Sequence, residues 1–251
     1  MWTAWWKRWA GSWLGSEANP GTDEDKMFGG TSWGHVAVWI LAGAALFSAI
    51  GCIRGKNTGS NLKVYIFKPL TTLLIISVAF IGTLANPSSY GVFVLSAFVF
   101  ALAGDVFLML PKDRFIAGLF SFLVAHLLLT GAFVARGVGF TWWLLLLAFL
   151  PGVLMYVLLS PYLGRMKVPV LFYVTVISAM VWMASESVHH LGGHGPALAA
   201  SGAVLFLCSD ATLAWNRFRR EFRSAETIVL SSYYMSLFLI ALSVRFPPVS
   251  G

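Results

Sequence analysis

Charge is scarce in this sequence. Only 17 of its 251 residues are Lys or Arg and 10 are Asp or Glu, so 11% of the chain is charged, less than half of the roughly 25% usual in a soluble domain. With 58% of its residues apolar and a mean hydropathy of +0.79, the chain carries more apolar surface than a water-solvated fold can use, and the bilayer is the solvent that accommodates it. Cysteine is scarcer still. Cys52 and Cys208 both fall in apolar stretches, offer neither a disulfide framework nor metal-ligand spacing, and read as small core residues. No nucleophilic-serine motif is present, and His126 is the one histidine that falls well inside an apolar run, too few imidazoles for a zinc shell. The sequence therefore asks for no metal and no cofactor. The first residues lack an uninterrupted apolar region and a small-residue cleavage site, which argues against a signal peptide. The net charge of +7 is gathered in short loops, a pattern that sets membrane topology rather than marking a nucleic-acid partner.

Apolar runs of about 20 residues, the length that crosses a bilayer, can be marked off as Trp33–Ile53, Val64–Leu84, Tyr90–Leu110, Phe115–Ala135, Phe140–Ser160, Val168–Val188, Pro196–Trp215 and Ala225–Val244. Turn chemistry separates them: Asn86-Pro87, Pro111-Lys112-Asp113, Gly137 and Gly139, Ser160-Pro161, Gly192-Gly193. The expected fold is all-α, a polytopic membrane bundle of about eight helices over residues 33–251. Ahead of it, residues 1–32 form an arm in which Trp2, Trp5, Trp6, Trp9 and Trp13 recur at helical spacing, as an interfacial amphipathic helix would place them, followed by a polar linker. Counting Lys and Arg by side, eleven fall on one face (Arg54, Lys56, Lys63, Lys112, Arg114, Arg165, Lys167, Arg217, Arg219, Arg220 and Arg223) and five on the other. The positive-inside rule puts the richer face in the cytoplasm and both termini opposite it.

Ionisable residues inside spans are costly and face a cavity or a partner. Lys68 lies about one turn into the second span, and Asp105 and Asp210 lie one to two turns before the ends of the third and seventh, all roughly 7–10 Å inside the basic end at 1.5 Å per residue. Tyr156, Tyr173, Tyr233 and Tyr234 share that depth, His126 is deeper, and Asn216 closes the seventh span. Glu186 and His189, His190 and His194 lie at the opposite face. Gly104-Asp105 and Ser209-Asp210 end spans four apart in the same direction, and Pro69 and Pro169 read as helix-entry residues of the second and sixth spans. This hints at two duplicated four-helix halves with the aspartates facing across a pseudo-twofold axis. By itself the Lys68–aspartate grouping fits a structural ion pair, a transporter or proton relay, or an enzyme's acid and base. An intramembrane aspartyl protease and a metal-dependent hydrolase are weaker alternatives.

At these residues the chain resembles the lysoplasmalogenase, or YhhN-like, membrane proteins. The resemblance runs in order through Phe67-Lys68-Pro69-Leu70, Ala103-Gly104-Asp105-Val106-Phe107-Leu108, Phe115-Ile116-Ala117-Gly118-Leu119, Phe122-Leu123-Val124-Ala125-His126, Gly202-Ala203-Val204-Leu205-Phe206 with Ser209-Asp210, and Tyr233-Tyr234. It implies an eight-span hydrolase that cleaves the vinyl-ether bond of lysoplasmalogens, releasing a fatty aldehyde and glycerophosphoethanolamine or glycerophosphocholine. It also implies Asp105 and Asp210 as the catalytic pair. The chemistry suits two carboxyls: a vinyl ether hydrolyses by protonation at its β-carbon, and water captures the oxocarbenium ion. Two aspartates in a low-dielectric site do not readily both ionise, so one can keep a proton while the other acts as base and cation stabiliser, much as in paired-carboxylate glycosidases. The expected substrate contacts are Lys68, His126, Tyr156, Tyr173, Tyr233, Tyr234 and Asn216, around a lysophospholipid drawn from the membrane.

Overall fold

The computed structural model of the chain describes residues 32–111, 113–137 and 139–246. The Trp-rich arm lies outside the described residues. Eight long helices account for nearly all of them: α1 Ser32–Asn57, α2 Asn61–Ala85, α3 Ser89–Met109, α4 Phe115–Val134, α5 Trp142–Leu159, α6 Lys167–Leu191, α7 His194–Phe218 and α8 Ala225–Ser243. All eight are long and apolar enough to cross a membrane, and the chain is an integral membrane protein. The eight apolar runs map one to one onto these helices. Connections are short. Two 3-10 turns, Ser160–Tyr162 and Gly164–Met166, join α5 to α6, and Gly192 and Gly193 turn α6 into α7 at φ of 64° and 82°, a region that side chains other than glycine rarely enter.

One entry residue is corrected. Pro169 does open α6, but Pro69 sits well inside α2, which begins at Asn61. A proline inside a helix removes one backbone donor, which a membrane helix tolerates when neighbours re-satisfy the backbone. Nearby, the hydroxyls of Ser48 and Thr71 both donate to the Phe67 carbonyl, although the carbonyl that Pro69 leaves without its donor is that of Tyr65, four residues before it.

The burial pattern is that of a molecule dissolved in lipid. Phe47 and Val168 are about three-quarters exposed (74% and 75%), and Trp39, Phe120 and Leu150 also face outward. Phe98, Phe133, Leu129, Met180, Phe206 and Leu237 fill the interior. Small residues set the helix approach, as is usual where lipid leaves no hydrophobic drive between helices. A side chain at Gly104 would strike the Phe122 ring, and one at Gly118 would strike Leu108, so α3 and α4 lie in close contact. Gly202 plays the same part against Ile240 where α7 meets α8.

Neighbour relations repeat across the two halves. α2 packs on α1, α3 and α8, while α6 packs on α5, α7 and α4. The α3–α4 and α7–α8 pairs are both extensive. The inner helices α2 and α6 each receive the last helix of the other half, which brings α2, α3 and α8 together on one side of the core and α6, α7 and α4 on the other.

Candidate active site

Each of those helix triads holds one aspartate. In the first, Asp105 of α3 is 1% exposed at its side chain and lies 3.3 Å from the Lys68 ammonium of α2. Lys68 also donates to the Asp105 backbone carbonyl, at 3.5 Å. The hydroxyls of Thr72 and Tyr233 donate to Asp105 Oδ2 at 2.6 and 2.9 Å. A cation and two hydroxyl donors on one buried carboxylate are what a negative charge out of water requires. In the second triad, the Tyr173 hydroxyl of α6 donates to Asp210 Oδ2 of α7 at 2.5 Å, and His126 Nε2 of α4 stands 3.6 Å from the same oxygen. His126 is fully buried, and neither ring nitrogen has a hydrogen-bond partner among the described residues.

The correspondence extends to spacing. Lys68 and Tyr173 each precede their aspartate by 37 residues, so the two stand at equivalent places in the two halves. The small residue before each aspartate also recurs: Gly104 admits the Phe122 ring, and Ser209 sends its hydroxyl to the Val229 carbonyl of α8 at 3.1 Å.

The expected polar layer is therefore two clusters rather than one. Aromatic rings bridge them: Tyr233 meets Phe122 and Phe206 edge-on at 5.7 and 5.5 Å, and Phe206 meets His126 at 4.5 Å, which in turn meets Tyr173 at 5.4 Å. The second cluster reaches a groove. A space of about 160 Å³ runs between α4, α5, α6 and α7, with Phe115 and Phe218 at its basic end, Leu119, Leu159, Val170 and Leu207 along its walls, and Pro151, Gly152 and Ile177 farther in. Tyr173 and Asp210 line it; Asp105 does not. The Asp210 side chain is 12% exposed against 1% for Asp105, so a molecule in the groove meets Asp210 first.

The other expected contacts are dispersed. Tyr234 turns from Asp105 toward α1, its hydroxyl 3.4 Å from Cys52 Sγ, and lines a separate apolar cavity of about 500 Å³ between α1, α2 and α8. Tyr156 packs with the apolar group around Leu159 and Val170 and touches neither aspartate. Asn216 accepts the Phe222 backbone N–H at 3.1 Å and braces the loop after α7. Lys68 is spent on Asp105 and does not line the groove. Cys52 is buried as expected, whereas Cys208 is exposed on the groove wall. At the far face Glu186 is fully buried and accepts from the Thr141 backbone N–H and the Trp182 indole at 2.6 and 2.8 Å, with His190 3.1 Å away.

Three participants were not expected as site residues: Thr72, and Phe122 and Phe206, which entered only within the family-like stretches. Each lies four residues from a residue already singled out (Lys68, His126 and Asp210), so the i, i+4 neighbour rule was the available signal.

No solved structure matches the chain. Among curated proteins, the uncharacterized membrane protein YhhN of Escherichia coli O6:H1 is 28% identical over 214 residues, covering 84% of this chain and 98% of that protein. The lysoplasmalogenase TMEM86A of Bos taurus is 36% identical over 165 residues, 64% of this chain and 67% of the relative. Lysoplasmalogenase TMEM86B of Homo sapiens is 31% identical over 180 residues, 68% and 71% of the two chains. The YhhN family model matches residues 64–244, a stretch that holds both aspartate clusters, the aromatic bridge and the groove, and the chain belongs to the YhhN family.

Proposed function

We propose that the protein is a lysoplasmalogenase, hydrolysing the vinyl-ether bond of a membrane-borne lysoplasmalogen to a fatty aldehyde and a glycerophospho headgroup such as glycerophosphoethanolamine or glycerophosphocholine. The observation that carries this reading is a carboxyl, Asp210, on the wall of an otherwise apolar groove, held by a tyrosine hydroxyl and lacking any Lys or Arg partner among the described residues. An alkenyl chain fits such walls, and an acid without a resident countercharge can keep the proton that vinyl-ether cleavage consumes. The lysoplasmalogenase relatives support the same assignment.

In this scheme the Asp210 proton passes to the β-carbon of the C=C bond. The ether oxygen donates electron density to the α-carbon, giving the oxocarbenium ion. Water adds to the α-carbon and loses a proton, and the hemiacetal collapses with cleavage of the C–O bond to aldehyde and glycerol hydroxyl. Asp105, ionised against Lys68, is the second carboxylate of the pair and the base for water. For both to serve one linkage, the Phe122 and Phe206 rings must part as substrate enters. Tyr173 positions the acid, and His126, unpartnered beside it, faces the same carboxyl.

The test is aldehyde release from purified protein given a 1-alkenyl lysophospholipid and its saturated 1-alkyl analogue. Cleavage of the first alone supports the proposal. Cleavage of neither, together with solute counterflow in proteoliposomes, moves the intramembrane Asp and Lys residues to a transport role.

A further inference from the structure

The groove ends at the basic face of the membrane, and its mouth is built in a particular way. Phe115 and Phe218 meet edge-to-face at 5.8 Å and form one lip. The Arg217 guanidinium lies over the Phe115 ring, 4.9 Å from its centroid. On the α5 side, the Arg219 guanidinium lies over Trp215 at 4.2 Å and Tyr162 at 5.6 Å. Trp215 and Phe218 both pack against the Leu159 and Val170 region that walls the groove. Two guanidinium groups thus stand near the basic end of the groove, each laid on an aromatic face that fixes its plane. Arg217 is paired with Asp113 at 2.6 Å, and the hydrogen bond from Arg217 holds the Asp113 carboxyl below the usual carboxylate range. Arg219 has no carboxylate within ion-pair distance among the described residues. The Asn216 side chain, by accepting the Phe222 N–H, braces the loop from which Arg219 projects.

We propose that Arg217 and Arg219 form the phosphate subsite of the lipid substrate, so that the groove takes a single-chain lysophospholipid with its headgroup at the basic face and its sn-1 linkage beside Asp210. The inference rests on the hydrolase reading above and adds the recognition of the headgroup. Dimensions agree. Arg217 and Asp210 are seven residues apart on α7, a rise of about 10 Å. From phosphorus to the vinyl β-carbon of a lysoplasmalogen is seven bonds, which in zigzag reach about 9 Å at ordinary bond lengths. A phosphate held by the guanidinium groups therefore sets the double bond at the level of the acid. Planar guanidinium forks suit phosphate oxygens, and Lys68, which lies deeper, is already committed to Asp105.

The full chain in nanodiscs is tested with three probes: a 1-alkyl lysophosphatidylethanolamine, which binds without being cleaved, the corresponding 1-alkylglycerol, which lacks the phosphate, and inorganic phosphate. Binding is read by tryptophan fluorescence and calorimetry for wild type, Arg217→Gln, Arg219→Gln and the double variant. The lysophospholipid should bind about 10–100-fold more weakly to each variant, as loss of a charged hydrogen bond implies, while the alkylglycerol binds all four proteins alike. Asp113→Asn, which releases Arg217, should bind the lysophospholipid at least as tightly as wild type. Unchanged lysophospholipid affinity in the double variant, or an equal loss for the alkylglycerol, overturns the subsite. Inorganic phosphate that binds wild type as tightly as the lipid does makes this a free-phosphate site and overturns the lipid assignment. Because the alkyl probes need no catalysis, the outcome is independent of the hydrolase reading. Correct probe discrimination with no cleavage of the alkenyl lipid by wild type refutes the hydrolase alone, and cleavage with an unchanged KM in the double variant refutes the subsite alone.

Discussion

Replacing Asp105 by Asn separates what this carboxylate does for the fold from what it does for the reaction. The amide keeps the shape and can still accept from Thr72 and Tyr233, which now hold Oδ2 at 2.6 and 2.9 Å. It removes the countercharge of Lys68, whose side chain is 11% exposed. An ammonium left unpaired in such a place costs about 3–5 kcal/mol, so Asp105→Asn should melt well below wild type in detergent. Lys68→Met with Asp105→Asn removes both charges and substitutes an apolar side chain of similar length. That double variant should recover much of the lost stability, since no charge is then left buried without a partner. Catalysis should not return with it. If Asp105 is the base of the proposed pair, both variants lose about 10²–10⁴-fold in kcat. The assays are thermal unfolding of purified protein alongside aldehyde release from an alkenyl lysolipid. A stable double variant with near wild-type turnover would refute the paired-carboxylate mechanism and leave Lys68–Asp105 as a structural clasp between α2 and α3.

Asp210→Asn should lose a comparable 10²–10⁴-fold in kcat while unfolding at close to the wild-type temperature, because Tyr173 can donate to the amide oxygen and no cation is stranded; a large fall in melting temperature would point to a structural role instead. Ala211→Phe places a ring in the groove that Ala211 now lines, and should raise KM for long alkenyl chains about tenfold or more, given that a methylene buried or excluded is worth about 0.8 kcal/mol; an unchanged KM would put the chain elsewhere, with the α1–α2–α8 cavity the next candidate. For topology, reporter fusions after residue 246 and in the loop holding Arg219 should give opposite signals, with the Arg219 loop cytoplasmic; equal signals would overturn the orientation.

The spans were legible because a bilayer imposes a length and an apolarity that few other environments demand, and the structure returned all eight. Counting residues from the basic loops gives an expected depth as well, with Lys68, Asp105 and Asp210 in one leaflet. What counting could not supply is azimuth. Tyr234 and Tyr233 are adjacent in sequence, yet their hydroxyls reach Cys52 and Asp105 respectively, since successive residues on a helix point about 100° apart. The same limit hid the division of the polar layer, because nothing in spacing alone says that Phe122 and Phe206 stand between the aspartates. The error at Pro69 has another cause. Proline is favoured at the first helical position by soluble-protein rules, whereas a membrane helix also tolerates it farther in, as α2 does at Pro69.

The two halves share one packing plan but surround their aspartates differently, and one of the differences falls at an equivalent position. At 37 residues before its aspartate the first half has Lys68 and the second has Tyr173. An ammonium there neutralises the carboxylate and seals it; a phenol orients the carboxyl and leaves it without a cation. This predicts the outcome of Tyr173→Lys. The new ammonium would occupy the place that Lys68 holds in the other half and pair with Asp210, which would then stand ionised and could not deliver a proton. Turnover of the alkenyl lysolipid should fall about 10²–10⁴-fold, the share that a general acid contributes. Tyr173→Phe removes the orienting hydroxyl but adds no charge, so its loss should be smaller. The measurement is kcat for both variants on one substrate, with unfolding followed in parallel to exclude misfolding. If the folded Tyr173→Lys protein turns over as fast as Tyr173→Phe, the added cation has no bearing on the chemistry, and Asp210 is not the proton donor.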